Sequence, residues 1–277
     1  MINMLNTIFE SFNEAIRRFE YDYIYIDSIF LAIWLGFLIK YKKGNAIKFG
    51  IFTGFVTYFI DAILWWNAPA GNNYPIGTMI REYWIGGVKV PQSLGAYFWP
   101  KFGADFMMTF SYSLFAFGWL WIMFENYVKR NYKEMMLFTC LFFGFWLVTP
   151  FLSYFVQLDD SLVVSVRHMD TQMITWTVNI VIGYLLFFII YVSGKFKKRD
   201  IKLLGYVFLI GCLGAFFMEF PLFISGIRPT GIYFLLYDTI LMFNQGTPYL
   251  YILYAEVFPY LTKKIKKNKH SEIELLA

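Results

Sequence analysis

Residues 55–71 read FVTYFIDAILWWNAPAG, with one carboxylic acid, Asp61, inside a run that is otherwise aliphatic and aromatic. A charge in such surroundings is expensive unless something compensates it. The apolar run reaches back to Ile47, and residues 47–67 match the roughly 20 that an α-helix needs to cross the hydrocarbon of a bilayer. Similar blocks recur along the chain, which is 58% hydrophobic and 16% charged, against about 45–50% and 25% for soluble domains. The composition excludes a water-soluble globule and predicts an all-α, polytopic integral membrane protein.

Seven spans are predicted, at 23–40, 47–67, 104–126, 134–157, 171–193, 202–226 and 232–262. The last is long enough to bend, and Gly246 and Pro248 mark where. In residues 1–22, Glu10, Glu14, Arg17 and Arg18 argue against a cleavable signal peptide. Leu5, Ile8, Phe9, Phe12, Ile16 and Phe19 recur at helical spacing there, which predicts an amphipathic helix on the membrane surface. Of the 24 basic residues, 17 fall in segments 40–48, 129–133, 195–202 and 263–269, so the N-terminus is expected outside and the C-terminus inside. The net charge of +5 is then a topology signal with no bearing on nucleic acid. The basic tail, 263–277, is expected to meet anionic membrane lipid. The expected location is the cell membrane or the endoplasmic reticulum membrane, as a single multi-pass domain.

The first and last thirds echo one another. Span two begins IKFG and carries Asp61, while span six begins IKLLG and carries Glu219; DFMMTF at 105–110 is answered by DTILMF at 238–243. The echo reads as a 3+1+3 parallel repeat: a three-helix unit (23–126), a linker helix (134–157) and a second unit (171–262). In architecture this resembles the SWEET and PQ-loop transporters. The Pro-Gln dipeptide that those families carry in the first helix of each unit is absent, since Pro91-Gln92 falls in an external loop.

Ionisable groups inside spans cost about 2.5–3.5 kcal/mol on insertion scales and are functional candidates by default. Helical rise places Asp61, Asp105, Glu219 and Asp238 in the outer half of their spans. Above them lies 68–103, with Tyr74, Tyr83, Trp84, Tyr97, Phe98 and Trp99, which reads as a lid over substrate or as an interfacial anchor. An acid isolated in apolar surroundings resists ionisation and holds a proton to give. Asp61 and Glu219, in YFIDAILWW and AFFMEFPLF, are therefore the candidate proton carriers or general acids, the other reading being a packing role. Asp105, Asp238, Asn179, Asn244, Gln245, Trp65 and Trp66 are the candidate substrate contacts, with Asn244 and Gln245 at the break in span seven. Glu125 is expected to pair with Lys129, Glu256 is a candidate inner gate, and LDDSLVVSVRHMD (158–170) is expected to be a solvated loop.

Absences narrow the chemistry. The two histidines, His168 and His270, cannot assemble a membrane iron centre, and Cys140 and Cys212 have no metal-like spacing. No G-x-S-x-G, P-loop or G-x-G-x-x-G occurs, and no lysine lies between Lys202 and Lys263 to hold retinal. No metal or cofactor is expected. Two classes of function remain, both with a small amphiphilic or hydrophobic partner. One is a proton-linked transporter whose acids change charge as the site changes access. The other is an intramembrane cyclase or isomerase that protonates an isoprenoid or sterol-like lipid, aromatic faces steadying the cation. An acid on the second span and another on the sixth are similar to those of the integral-membrane terpene cyclases of fungal meroterpenoid pathways. That resemblance implies that Asp61 and Glu219 act together as the acid. A receptor role is disfavoured by the short cytoplasmic loops.

Overall fold

The computed structural model describes residues 14–168, 170–197, 199–229 and 231–260. Among them, six helices are long and apolar enough to cross a membrane: α1 (Asp22–Lys40), α2 (Gly44–Asn67), α3 (Gly95–Lys129), α4 (Tyr132–Ser153), α5 (Asp170–Tyr191) and α6 (Ile201–Ile224). The central helix is α3, 83% of whose apolar window is buried, and α5 is peripheral at 17%. Phe52, Phe55 and Phe59 on α2 and Val178, Val181 and Leu185 on α5 point outward, as expected of surfaces whose solvent is lipid. Inside, Trp34 of α1 packs on Phe115 of α3 and Phe138 of α4, and Trp119 stacks on Phe142.

The region predicted as span seven is interrupted. Its first helix, α7 (Gly231–Leu241), has 11 residues and reaches about 16 Å, half of a hydrocarbon core about 30 Å thick. A turn at 242–246 follows, then α8 (Thr247–Ile252), which runs into a π-helical turn at Leu253–Val257. The turn fits against α5 and α6 because glycines face it. A Cβ on Gly211 would lie 2.1 Å from Asn244 Oδ1, and one on Gly183 2.8 Å from Pro248 Cγ. Small residues of this kind let membrane helices approach closely.

Two expectations are corrected at the end of the bundle where α1 begins. Part of the predicted surface helix is a β-strand, β1 (Glu14–Glu20), and the predicted solvated loop contains another, β4 (Leu162–His168). With β2 (Arg81–Ile85) and β3 (Val88–Lys89) they form an antiparallel sheet in the order β1-β4-β2-β3, a small addition to a chain that is mostly helical as expected. EAIRRFE alternates, burying Ala15, Arg17 and Phe19 on one face, and a period of two suits a strand. The helical reading relied on Ile16 and Phe19, which point to opposite faces. Residues 1–13 of that predicted helix, and the tail 263–277, lie outside the described residues. The β2–β3 hairpin turns on Gly86 and Gly87 at φ 59° and 79°, the left-handed pair that a tight hairpin requires.

Register then sets the chemistry. Across the sheet, Ala15, Arg167 and Arg81 form one row, Arg17, Ser165 and Tyr83 the next, and Phe19, Val163 and Ile85 a third. Three arginines thereby share the face that meets the helix ends.

Candidate functional site

Asp61 occupies a π-helical turn of α2, Phe59–Leu64, and a second such turn in α3, Phe106–Ser111, carries Met108 and Thr109 beside it. Such turns insert one residue into the helix and recur at functional sites. Asp61 Oδ2 accepts a short hydrogen bond from Arg81 Nη1 and another, 2.6 Å long, from Arg167 Nη2. Arg81 Nη2 also stands 3.5 Å from Asp105 Oδ1. Asp105 takes further bonds from the Tyr83 hydroxyl and, at 2.5 Å, from Lys101. Lys101 lies 4.3 Å from the centre of the Trp66 ring.

A second cluster repeats this arrangement. Glu219 Oε1 accepts from Arg17 Nη2 at 2.9 Å and from Arg228 Nη2 at 3.0 Å, and Arg228 Nε meets Oε2. Arg228 Nη2 stands 3.8 Å from Asp238 Oδ2. Among the described residues the two clusters hold five cations and four carboxylates. The four acids expected in the outer half of their spans are thus divided into two ion-paired groups, and Asp61 and Glu219 are not isolated in apolar surroundings. Burial pushes the Arg167 guanidinium down to about 10, with Asp61 opposing and Arg81, Arg17 and Arg228 reinforcing the shift. Burial also acts to lower Arg81, but the charges of Asp61, Tyr83 and Asp105 more than reverse it.

The arginines are what a reading of the sequence misses, and one signal was present. The charge bias that is expected to put 17 of 24 basic residues on one side leaves seven for the other. Five of those seven are Arg17, Arg81, Lys101, Arg167 and Arg228, the cations of these clusters.

Below the Asp61 pair lies a cavity of about 470 Å³, within the range of small-molecule sites. Of the predicted site residues it gathers Asp61, Trp65, Asn179 and Gln245, to which the structure adds Arg17 and Arg167. Tyr112, Phe117, Trp176 and Phe243 with Met108, Met218 and Met242 make most of the remaining wall apolar. Glu219, Asp105, Asp238, Trp66 and Asn244 do not line it. The first four belong to the ion-paired clusters or pack on them, Trp66 beneath Lys101. Asn244 accepts from the Tyr184 hydroxyl at 2.6 Å and donates to Ile240 O at 2.7 Å.

A broken membrane helix can free backbone groups that bind ligand. Instead the amides of Gln245, Gly246 and Thr247 bond to the carbonyls of Leu241, Phe243 and Phe243 at 3.0, 2.9 and 2.8 Å. Gln245 and Gly246 form part of the cavity wall. At the opposite end of the bundle Glu125 pairs with Lys129 at 2.5 Å, as expected. Glu256 is tied to Tyr191 and Lys197. His168 is buried against the Tyr74 ring, with Nε2 3.5 Å from Glu82. Comparison with known proteins finds no matching family model, curated protein or solved structure.

Proposed function

We propose that the chain is a seven-span membrane carrier for a small amphiphilic or hydrophobic molecule, linked to protons through Asp61, with the cavity as its substrate site. The observation that carries this is the cavity itself: about 470 Å³, mostly apolar, with an ion-paired carboxylate at one end and an interrupted helix along one wall. Ionisable groups in such positions serve carriers by changing partners as access changes. Glu219 lies outside the cavity, so proton linkage is assigned to Asp61 alone.

Support for a seventh crossing comes from the ends of the broken segment. Asp238 approaches Arg228 at the sheet end, and Glu256 meets Lys197 at the basic end. With the basic end cytoplasmic, the sheet end is external and the cavity lies beneath it. Support for the 3+1+3 repeat comes from the clusters, in which an acid of one helix and an acid of the next are bridged by an arginine from their connection: Asp61, Arg81, Asp105 and Glu219, Arg228, Asp238. The strands that precede the two units exchange partners, Arg17 reaching Glu219 and Arg167 reaching Asp61. A SWEET-like arrangement would have such a pseudo-twofold.

The test is to identify by mass spectrometry what copurifies with the full chain, then to follow its uptake into proteoliposomes under an imposed pH gradient. Gradient-driven uptake that becomes insensitive to pH in Asp61→Asn is expected. Uptake indifferent to both the gradient and that substitution overturns the proposal. The cyclase alternative is favoured by the rings of Trp65, Tyr112, Phe117, Trp176 and Phe243 around the cavity. It predicts that an isoprenoid incubated with the protein is converted to a cyclic product, whereas a carrier returns it unchanged.

A further inference from the structure

Beside the large cavity is a water-sized recess of about 10 Å³, lined by Arg17, Arg167, Arg228, Ser165, Ala15 and Met108. Arg17, Met108 and Arg167 line both spaces. Among the described residues the wall of the recess holds three guanidinium groups and no carboxylate, each guanidinium being paired on its far side, Arg17 and Arg228 with Glu219 and Arg167 with Asp61. Arg167 Nε is buried and finds no hydrogen-bond partner among the described residues. The clusters around it carry one cation more than they have carboxylates. Guanidinium groups receive carboxylate and phosphate oxygens in forked geometry. Away from this charged end the wall is aromatic and methionine-rich, a surface that adapts to an alkyl chain.

We propose that the cavity takes a single-chain amphiphile with an anionic head, its charged oxygens received by Arg17 and Arg167 at the recess and its chain lying among Trp65, Phe117, Trp176 and Phe243. This rests on the cavity being a substrate site. Asp61, the one carboxylate among the described residues that lines the cavity, shares its charge between Arg81 and Arg167, so it does not create a cation site. A small free anion would fill the recess and leave the apolar wall uncovered, which is why a chain is part of the proposal.

The experiment uses the full chain in discs of neutral phosphatidylcholine. Brominated dodecanoate is added, and quenching of tryptophan fluorescence is read, with Trp65→Phe/Trp176→Phe as the background. Unlabelled dodecanoate, dodecyl phosphate, dodecanol, dodecyltrimethylammonium, acetate and inorganic phosphate compete. Displacement by dodecanoate or dodecyl phosphate at least tenfold more effective than by dodecanol or the ammonium compound is expected. Arg167→Gln should weaken dodecanoate at least tenfold while Arg167→Lys recovers part of the loss. Since Arg167 also holds Asp61, Ala116→Phe, which fills the cavity without touching a charge, should also abolish quenching. Equal competition by anionic, neutral and cationic chains overturns the anionic head and leaves the carrier reading standing. Acetate or phosphate competing as well as dodecanoate overturns the chain in favour of a small anion. Quenching unchanged by Ala116→Phe and by Trp65→Phe/Trp176→Phe overturns the cavity as the site, and with it both readings.

Discussion

Arg228 is held between two carboxylates, Glu219 in direct contact and Asp238 at 3.8 Å. A buried ion pair adds little over a hydrophobic pair of the same shape, but removing one partner leaves a charge uncompensated, at about 3–5 kcal/mol. Arg228→Ala should therefore lower the unfolding free energy by about that amount, and Arg228→Ala with Asp238→Asn should be less damaging than Arg228→Ala alone, because Glu219 keeps Arg17 whereas Asp238 loses its cation. Thermal unfolding in detergent separates the two outcomes; equal damage would mean that Asp238 draws little from Arg228. At this scale the acids were legible, because an Asp or Glu interrupts an apolar run whatever surrounds it. Their partners were not. Asp61 meets residues 20 and 106 positions away, and Glu219 meets one 202 positions away, separations that no local period encodes.

Elements follow the same logic. Apolar runs announce helices because each span must satisfy its backbone within itself, and the six long helices fall where the runs do. The start of α3 is the exception. It lies at Gly95 and not near 104, because a tight turn at Gly95–Tyr97 and the helix through Pro100 and Lys101 precede the apolar run. Strands satisfy one another instead, so EAIRRFE and LVVSVRH become legible only once paired. β4 lies between two neighbours and β3 has one. Val164→Pro should disrupt the sheet and release the arginines, seen as new protease cleavage in 68–97, whereas Val88→Pro on β3 should be tolerated. In α6, Gly211→Leu should force Asn244 away from its seat, costing about 1–3 kcal/mol of stability. The same change should weaken ligand binding, because the displaced turn carries Gln245 and Gly246 into the cavity wall.

For the whole molecule, the expected arrangement puts the sheet outside and the lysine-rich ends inside. Asn45 and Ser93 are both exposed and lie at opposite ends of the bundle. After Cys140 and Cys212 are replaced by alanine, Ser93→Cys should react with a membrane-impermeant maleimide on intact cells, and Asn45→Cys only after lysis. The reverse pattern would invert the topology.

Joining β1 to α6 also dictates an order of assembly. Arg17 is made early and Glu219 follows 202 residues later. At about 5–20 residues per second that is a wait of roughly 10–40 s. During that interval the first strand carries a guanidinium whose carboxylate does not yet exist, and β4, its pairing partner, is itself 148 residues downstream of Glu14 at its first residue. The strands can pair once β4 has been made, but Arg17 gains its carboxylate only with the sixth long helix. A nascent chain stalled before that helix would display the unpaired Arg17 to the cell's quality-control machinery, so the Arg17–Glu219 pair reports that synthesis has passed the sixth long helix.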